Sequence, residues 1–210
     1  MDPSRRPWIV KLGGSLHDSP NLRRWLAVIA AAKAPVVIVP GGGPFADSVR
    51  LAQARLKFSD AVAHHMALLA MEQYGLAMIG VARKLRATRT KREIAASLRA
   101  GAIPVWFPAK MTLGRPDIAE SWEVTSDSLA LWLAQRLRAR GLLLVKAARL
   151  PHGSRKSRAL AKAGIIDDAF PRMLARSSPP CWCIGARRYA EAARVFRMGG
   201  DPRATGIEPG

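Results

Sequence analysis

Short apolar runs alternate with longer amphipathic stretches along most of this chain. Residues 8–12 (WIVKL) read as a short buried strand, and 35–40 (PVVIVP), 76–82 (LAMIGVA), 102–107 (AIPVWF) and 142–147 (LLLVKA) read likewise. A run that is apolar on both faces has no side to give to water, so each is predicted to lie inside a covered sheet. Between the runs the period lengthens toward that of a helix. One helix is predicted around 21–33, and in the next Phe45, Val49, Ala52 and Leu56 fall at i, i+4, i+7 and i+11 on one face. A third is predicted over Ser59–Tyr74, with Ser59 or Asp60 as N-cap, and a fourth over 126–138, with Thr125 or Ser126 as N-cap and Leu129, Leu133 and Leu137 in its core stripe. Beyond about residue 150 the chain is richer in Pro, Ser and Arg, yet it still predicts a strand at 181–184 and a helix at about 187–197. Strands alternating with helices predict an α/β fold around a parallel sheet covered on both sides. A length of 210 residues suits a single domain.

In such sheets ligands bind beyond the carboxyl ends of the strands, where helices begin. Two glycine turns stand at such points. Lys11-Leu12-Gly13-Gly14-Ser15 closes the first strand, and Gly41-Gly42-Gly43-Pro44 closes the second. Without Cβ atoms, Gly13 and Gly14 can bring backbone N–H groups close to an anion. Lys11 adds a point charge suited to a phosphate, and Pro44 suits the first position of a helix whose N-terminus favours negative charge. Either turn alone is weak, since many glycine pairs after strands are only tight turns. Neither a GxxxxGK(S/T) loop nor a GxGxxG fingerprint is present. Two anion-ready turns on consecutive strands are more specific: one suits a donor phosphate and the other an acceptor. Phosphoryl transfer asks for this arrangement, because it needs positioning and positive charge more than covalent chemistry.

Charge and cysteine content adjust this picture. Thirty-four Lys and Arg against fifteen Asp and Glu give +19. That excess is compatible with nucleic acid, a membrane surface, an acidic partner or anionic substrates. The densest run (Arg83, Lys84, Arg86, Arg89, Lys91, Arg92) has no interleaved aromatics. It reads as a solvated face rather than a base-stacking surface, so nucleic acid is not the expected partner. No apolar run reaches membrane-spanning length, and no secretory leader precedes the first strand, so a cytoplasmic protein is expected. Cys181 and Cys183 share one side of a strand in a spacing that suits buried thiols better than a metal knuckle.

KLGGS, VPGGGPFAD and VTSDSLA, in that order and spacing, resemble the signature segments of the amino acid kinase superfamily. The resemblance is good over about 8–147 and looser beyond. It implies a three-layer αβα sandwich around an open, mainly parallel sheet, a homodimer, and ATP with Mg2+ as cofactors, the metal arriving with ATP rather than in a protein ligand set. It implies an acceptor-binding and catalytic part over 1–150 and a shortened nucleotide-side part over 151–210. Lys11 matches the lysine that stabilises the transferring phosphoryl group, and Asp127 the aspartate that orients it. Gly13, Gly14 and Ser15 match the loop beside the nucleotide phosphates, and Gly41, Gly42 and Gly43 the loop that holds the acceptor. GGGPFADSVR and SDAVAHHMALLAMEQYG further resemble the branch that phosphorylates an aminomethylfuran-methyl phosphate in methanofuran-type cofactor biosynthesis. On that match Asp47 would meet the acceptor's amine, Arg50 its phosphate, and His64 would line the pocket, although a lone histidine on an apolar helix also reads as a core residue. Met66, Leu69 and Met71 read as core or dimer packing.

The chain also departs from the family. Where an acidic, glycine-containing turn usually follows LLLV, it has Lys146-Ala147-Ala148-Arg149-Leu150-Pro151. Lys146 and Lys162 both stand as candidates for a second catalytic lysine. Lys146 and Asp168, the latter in GIIDDAF with Asp167, are expected on the nucleotide side, and the C-terminal ATGI resembles the family's closing strand loosely. Two other readings stay open at this stage. One is a non-catalytic family member whose basic surface binds an acidic partner or cofactor in a larger assembly. The other is nucleic-acid binding through 83–92.

Overall fold

The computed structural model describes residues 6–147, 156–174 and 178–198. The turn at 148–151 and the ATGI segment lie outside those residues. Within them β1 (Trp8–Leu12), β2 (Val36–Pro40), β3 (Leu85–Thr88), β4 (Ile103–Trp106), β5 (Gly141–Lys146) and β6 (Cys181–Gly185) form one parallel sheet, ordered β3-β4-β2-β1-β5-β6. On one face lie α1 (Pro20–Ala30) and α9 (Tyr189–Met198), whose Trp25, Ile29 and Phe196 pack on Trp8, Val10, Ile38 and Trp182. On the other lie α6 (Ser126–Arg136) and α8 (Phe170–Met173), packed on Ile9, Val37, Val39, Leu142 and Leu144. The expected three-layer sandwich is therefore present, with α2 (Gly43–Leu56) and α3 (Asp60–Val81) packed together beyond β2. The smaller helices are α4 (Lys91–Arg99), α5 (Ala109–Thr112) and α7 (Ser157–Lys162). None of the described helices is long and apolar enough to cross a membrane.

The alternation along β1 and β5 positions the site. Side chains on a strand point to opposite faces in turn, so Trp8, Val10 and Leu12 face α1 and α9 while Ile9 faces α6. Lys11 is thus the last β1 residue on the α6 side, and Lys146 follows Leu142 and Leu144 to the same side. The register Lys11↔Leu144 and Leu12↔Val145 brings both strand ends level. Helix α6 is buried from Ser126 through Ala134, packed on the sheet and against α8.

Two expectations from the pattern fail. Residues 76–82 are not a strand but the end of α3, which runs on to Val81. A short apolar run looks the same in either state, and once Ser59 caps α3 by accepting from the Val62 N–H, no proline stops it. Gly75 is no breaker: a Cβ there would lie 2.9 Å from Phe107, so glycine lets the helix pack closely on the sheet. The missed strand is β3, at the sheet edge inside the basic run, with Leu85 and Thr88 inward and Arg86 outward. Charge on an edge strand deters further pairing. The run continues into α4, whose start is signalled by Thr90 and Glu93: Thr90 Oγ1 accepts from the Glu93 N–H, and the Glu93 carboxylate reaches back to the Arg89 N–H. The second failure is the face of α2. Val49 is buried, but Phe45 and Leu56 are exposed.

Candidate functional site

Asp127 sits in the first turn of α6, fully enclosed, between the two lysines at the strand ends. Lys11 Nζ lies 2.9 Å from Oδ1, an approach close enough for an ion pair though not aligned as a hydrogen bond. Lys146 Nζ donates to Oδ2. Burial alone would push the Asp127 carboxyl up; the attraction of Lys11 and Lys146 and the hydrogen bond from Lys146 outweigh it and hold the group below its ordinary range. Burial, then the neighbouring Lys11, push the Lys146 ammonium below the ordinary lysine range, with Asp127 opposing them. One carboxylate thus holds two cations that would otherwise repel each other. Of the two candidate second lysines, Lys146 makes this contact, whereas Lys162 is exposed on α7 at the rim of a neighbouring cavity.

The two glycine turns touch. A Cβ on Gly14 would stand 2.3 Å from the Gly43 nitrogen, and one on Gly41 would stand 2.4 Å from the Gly14 nitrogen. Nothing but hydrogen fits at these contacts, which is why the backbones can meet. Gly43 also adopts a left-handed φ of 56°, open to glycine at little cost. A Cβ on Gly13 would lie 3.7 Å from Lys11 Nζ, so the ammonium lies under the first turn. The Gly42–Gly43 turn opens α2, whose first N–H groups have no partner within the helix.

Two cavities meet at this point. One, of about 470 Å³, is lined by Gly14, Ser15, Gly42, Gly43, Asp47, Arg50 and His64, together with Asp18, Trp122 and Ser126. The second, of about 530 Å³, is lined by Asp127, Lys146, Lys162, Asp167 and Asp168. Trp122 and Thr125 line both. The sequence-derived grouping therefore redistributes: Gly14 and Ser15 share a cavity with Asp47, Arg50 and His64, while Lys146 and Asp168 share the other. Gly13, Gly41 and Lys11 line neither cavity and lie at the ends of β1 and β2.

The wall between the cavities is a loop held by three contacts. Arg50 stacks on the Trp122 ring with its guanidinium carbon 3.8 Å from the centroid. The Trp122 N–H donates to Gln53 at 2.6 Å, and His64 Nδ1 approaches the Ser121 carbonyl at 3.4 Å. On the far side Thr125 holds the N-cap position of α6, as the pattern expects, but its side chain does not cap the helix; that is done by Asp167. Its carboxylate accepts from the N–H groups of Thr125, Ser128 and Phe170 and from both hydroxyls, Thr125 Oγ1 and Ser128 Oγ. An acid at a helix N-terminus is stabilised by the free N–H groups and by the helix dipole. Asp167 therefore pins α6, and with it Asp127, to the segment that leads into α8. Asp168 is exposed at the cavity rim.

A model of the amino acid kinase family matches residues 6–148. The chain belongs to the amino acid kinase family. It is 36% identical over 141 residues to the (5-(aminomethyl)furan-3-yl)methyl phosphate kinase of Methanocaldococcus jannaschii, an alignment covering 65% of this chain and 63% of that protein. The chain thus spans less than two thirds of that relative's length. Among solved structures, the uridylate kinase of Archaeoglobus fulgidus superposes with a TM-score of 0.65 at 15% identity, covering 90% of this chain and 96% of that one. The UMP kinase of Bacillus anthracis gives 0.68 at 15% identity, with 95% and 94% covered. At such identities the likeness speaks for the fold, which is that of the amino acid kinases.

Two features of the site in this family member escaped the sequence, Trp122 and the capping role of Asp167. Trp122 stands three positions before the Thr125-Ser126-Asp127 segment, yet nothing in its spacing distinguishes a cavity wall from a core aromatic. Asp167 stands out in the sequence only as the neighbour of Asp168 in GIIDDAF, and its partners Ser128 and Thr125 lie 39 and 42 residues away. Cys181 and Cys183 share the α6 side of β6, and burial pushes their thiols up to about 12 and about 11. Such thiols are poor nucleophiles and poor ligands.

Proposed function

We propose that this chain is an ATP-dependent kinase that transfers the γ-phosphoryl group to a small phosphomonoester, with an aminomethylfuran-methyl phosphate as the leading acceptor. The observation that carries the reading is the Lys11–Asp127–Lys146 bridge lying directly beneath two touching glycine turns. In a loose phosphoryl-transfer transition state, charge spreads over the equatorial oxygens of the moving group. Lys11 and Lys146, held by Asp127 in a buried setting, would meet that charge without having to reorganise. The N–H groups of Gly14, Gly42 and Gly43 would fix donor and acceptor phosphates on either side. Arg50, stiffened by its stack on Trp122, would hold the acceptor's own phosphate, and Asp47 would face its amine. The family name of the 36%-identical relative supports this acceptor.

Magnesium fits the residues present only as a partner of ATP. Asp127 is committed to two lysines and Asp167 to helix α6, which leaves Asp168 as the carboxylate on the second cavity for a metal-bound water. Mg2+ keeps most of its waters and binds through substrate phosphates, so such a sparse set suffices; bound there, it would neutralise phosphate charge.

Thermal-shift titration tests the reading: ATP with Mg2+ alone, then with the aminomethylfuran phosphate, isopentenyl phosphate, UMP, aspartate or glutamate. ATP at a hundredfold excess over its Kd should add about 2.7 kcal/mol of stability. A further rise with one acceptor, followed by turnover of that pair, is the expected result. No shift with any nucleotide would replace the kinase by a binding protein for an acidic partner.

We further propose a homodimer. Val62, Leu69 and Leu76 recur every seventh residue along α3, all exposed, and Phe45, Leu51 and Leu56 are exposed on α2. An apolar surface of that extent is costly to leave in water. Light scattering should give twice the chain mass, and Leu69→Glu with Leu76→Glu should give the monomer. A wild-type monomer at micromolar concentration would refute it.

A further inference from the structure

His64 is nearly completely buried, at 3% exposure, and lines the cavity that holds Asp47 and Arg50. Its two ring nitrogens are in different situations. Nδ1 faces the Ser121 carbonyl oxygen at 3.4 Å. A carbonyl oxygen only accepts, so Nδ1 carries the hydrogen. In the neutral ring Nε2 is then a bare lone pair, and this buried nitrogen has no partner in the protein. A buried acceptor left unsatisfied costs free energy, and such atoms in native structures call for an explanation.

Resting on the kinase reading above, we propose that the acceptor substrate presents an amine N–H to His64 Nε2, and that this contact selects amine-bearing phosphomonoesters over amine-free ones. The electrostatics of the surroundings favour an ammonium over a hydroxyl. The carboxylates of Asp18 and Asp47 line the same cavity, and that of Glu120 lies close enough to act on the His64 ring. Burial pushes the His64 ring below its ordinary range, against the carbonyl of Ser121 and Glu120, so it stays neutral where an ammonium must approach. The cation lining the cavity is Arg50, which suits the phosphate end of the same molecule; the His17 ring also lines it, and His65 is the neighbouring ring on α3. The histidine and the Trp122 wall are one device, because the carbonyl that fixes the tautomer belongs to Ser121. An occupied His64 therefore braces the loop that carries the Arg50 stack.

The test is binding of two probes by calorimetry to wild-type protein, His64→Gln and His64→Leu: (5-(aminomethyl)furan-3-yl)methyl phosphate and (5-methylfuran-3-yl)methyl phosphate, which lacks only the amine. Wild type should prefer the amine probe by about tenfold or more, the range of one hydrogen bond to a charged group. His64→Leu should lower the ratio severalfold, leaving only what the Asp47 carboxylate contributes, and His64→Gln, whose side-chain oxygen can accept near the position of Nε2, should restore most of it. Melting curves establish that each variant is folded. A ratio unchanged in His64→Leu, or a wild type that does not discriminate, overturns this inference and leaves the kinase reading standing. A wild type that binds neither probe but responds to another acceptor overturns both this inference and the proposed acceptor. If all probes and all nucleotides fail, the kinase reading falls with it.

Discussion

Asp127→Asn should lower kcat by about three orders of magnitude while leaving KM for ATP within a few-fold. The asparagine keeps the volume and removes the charge, so Lys11 and Lys146 lose the single group that lets both stay ionised in a buried place. Lys146 is already held low by burial and by Lys11, with Asp127 the main group opposing them. Without it the pair should shed a proton. The sign of the pH dependence follows: a depressed lysine is charged only below its lowered pKa, so residual turnover of the variant should fall as pH rises through a range where the wild type holds steady. Losing one preorganised donor costs about 10²–10³ in kcat, and here two are disturbed. The variant should also melt earlier, since breaking a buried ion pair by removing one partner costs about 3–5 kcal/mol. Lys11→Met separates the two effects. It leaves Asp127 paired with Lys146, keeps most of the buried length, and should lose turnover with a smaller loss of melting temperature. Steady-state kinetics on both, with melting curves, decides the matter. Asp127→Asn within tenfold of wild-type kcat would mean that Asp127 is a helix-start acid and nothing more.

Gly14→Ala should be nearly as damaging by another route. Gly14 has no left-handed φ, so alanine is conformationally welcome there, and a neutral or slightly stabilising change would follow if entropy alone counted. The added methyl, however, would stand 2.3 Å and 2.6 Å from the Gly43 nitrogen and Cα. These are backbone atoms at the start of α2 and cannot swing aside as a side chain can, so the two turns must part. We expect a loss of about 1–3 kcal/mol in stability, in the range of overpacked sites. The loss of turnover should be about a hundredfold, since displacements of the order of an ångström cost that much in alignment. Gly80→Ala is the control. Gly80 lies in α3 with open space around its Cα, so alanine should raise stability by up to about 1 kcal/mol with kcat unchanged. Gly14→Ala with wild-type turnover would show that the contact between the turns is not needed for chemistry.

The same residues mark how far the sequence could be read. The strands 8–12, 35–40, 102–107 and 142–147 are legible because a parallel strand covered on both faces is almost wholly apolar, and Lys11 and Lys146 stand out within those runs for the same reason. The glycine turns are legible because their residue type is demanded by backbone chemistry at a strand end. The segment 76–82 is not, because helix and buried strand bury the same residues over so short a run; only the uninterrupted α3 decides it. Strand β3 hides in a basic run because an edge strand needs just Leu85 and Thr88 to face inward.

By itself, then, the sequence determined the alternating α/β plan and the two anion-ready turns, which rest on local periodicity and on the chemistry of single residues. The candidate pair of Lys11 and Asp127 came from the resemblance of KLGGS and VTSDSLA to the amino acid kinases. The tertiary structure alone decided that Lys146 rather than Lys162 joins them, that Gly14 and Ser15 share a cavity with His64, that Trp122 divides the two cavities, and that Asp167 caps α6. Each of these depends on which distant segments meet, and sheet order and register fix that through burial that no local pattern encodes.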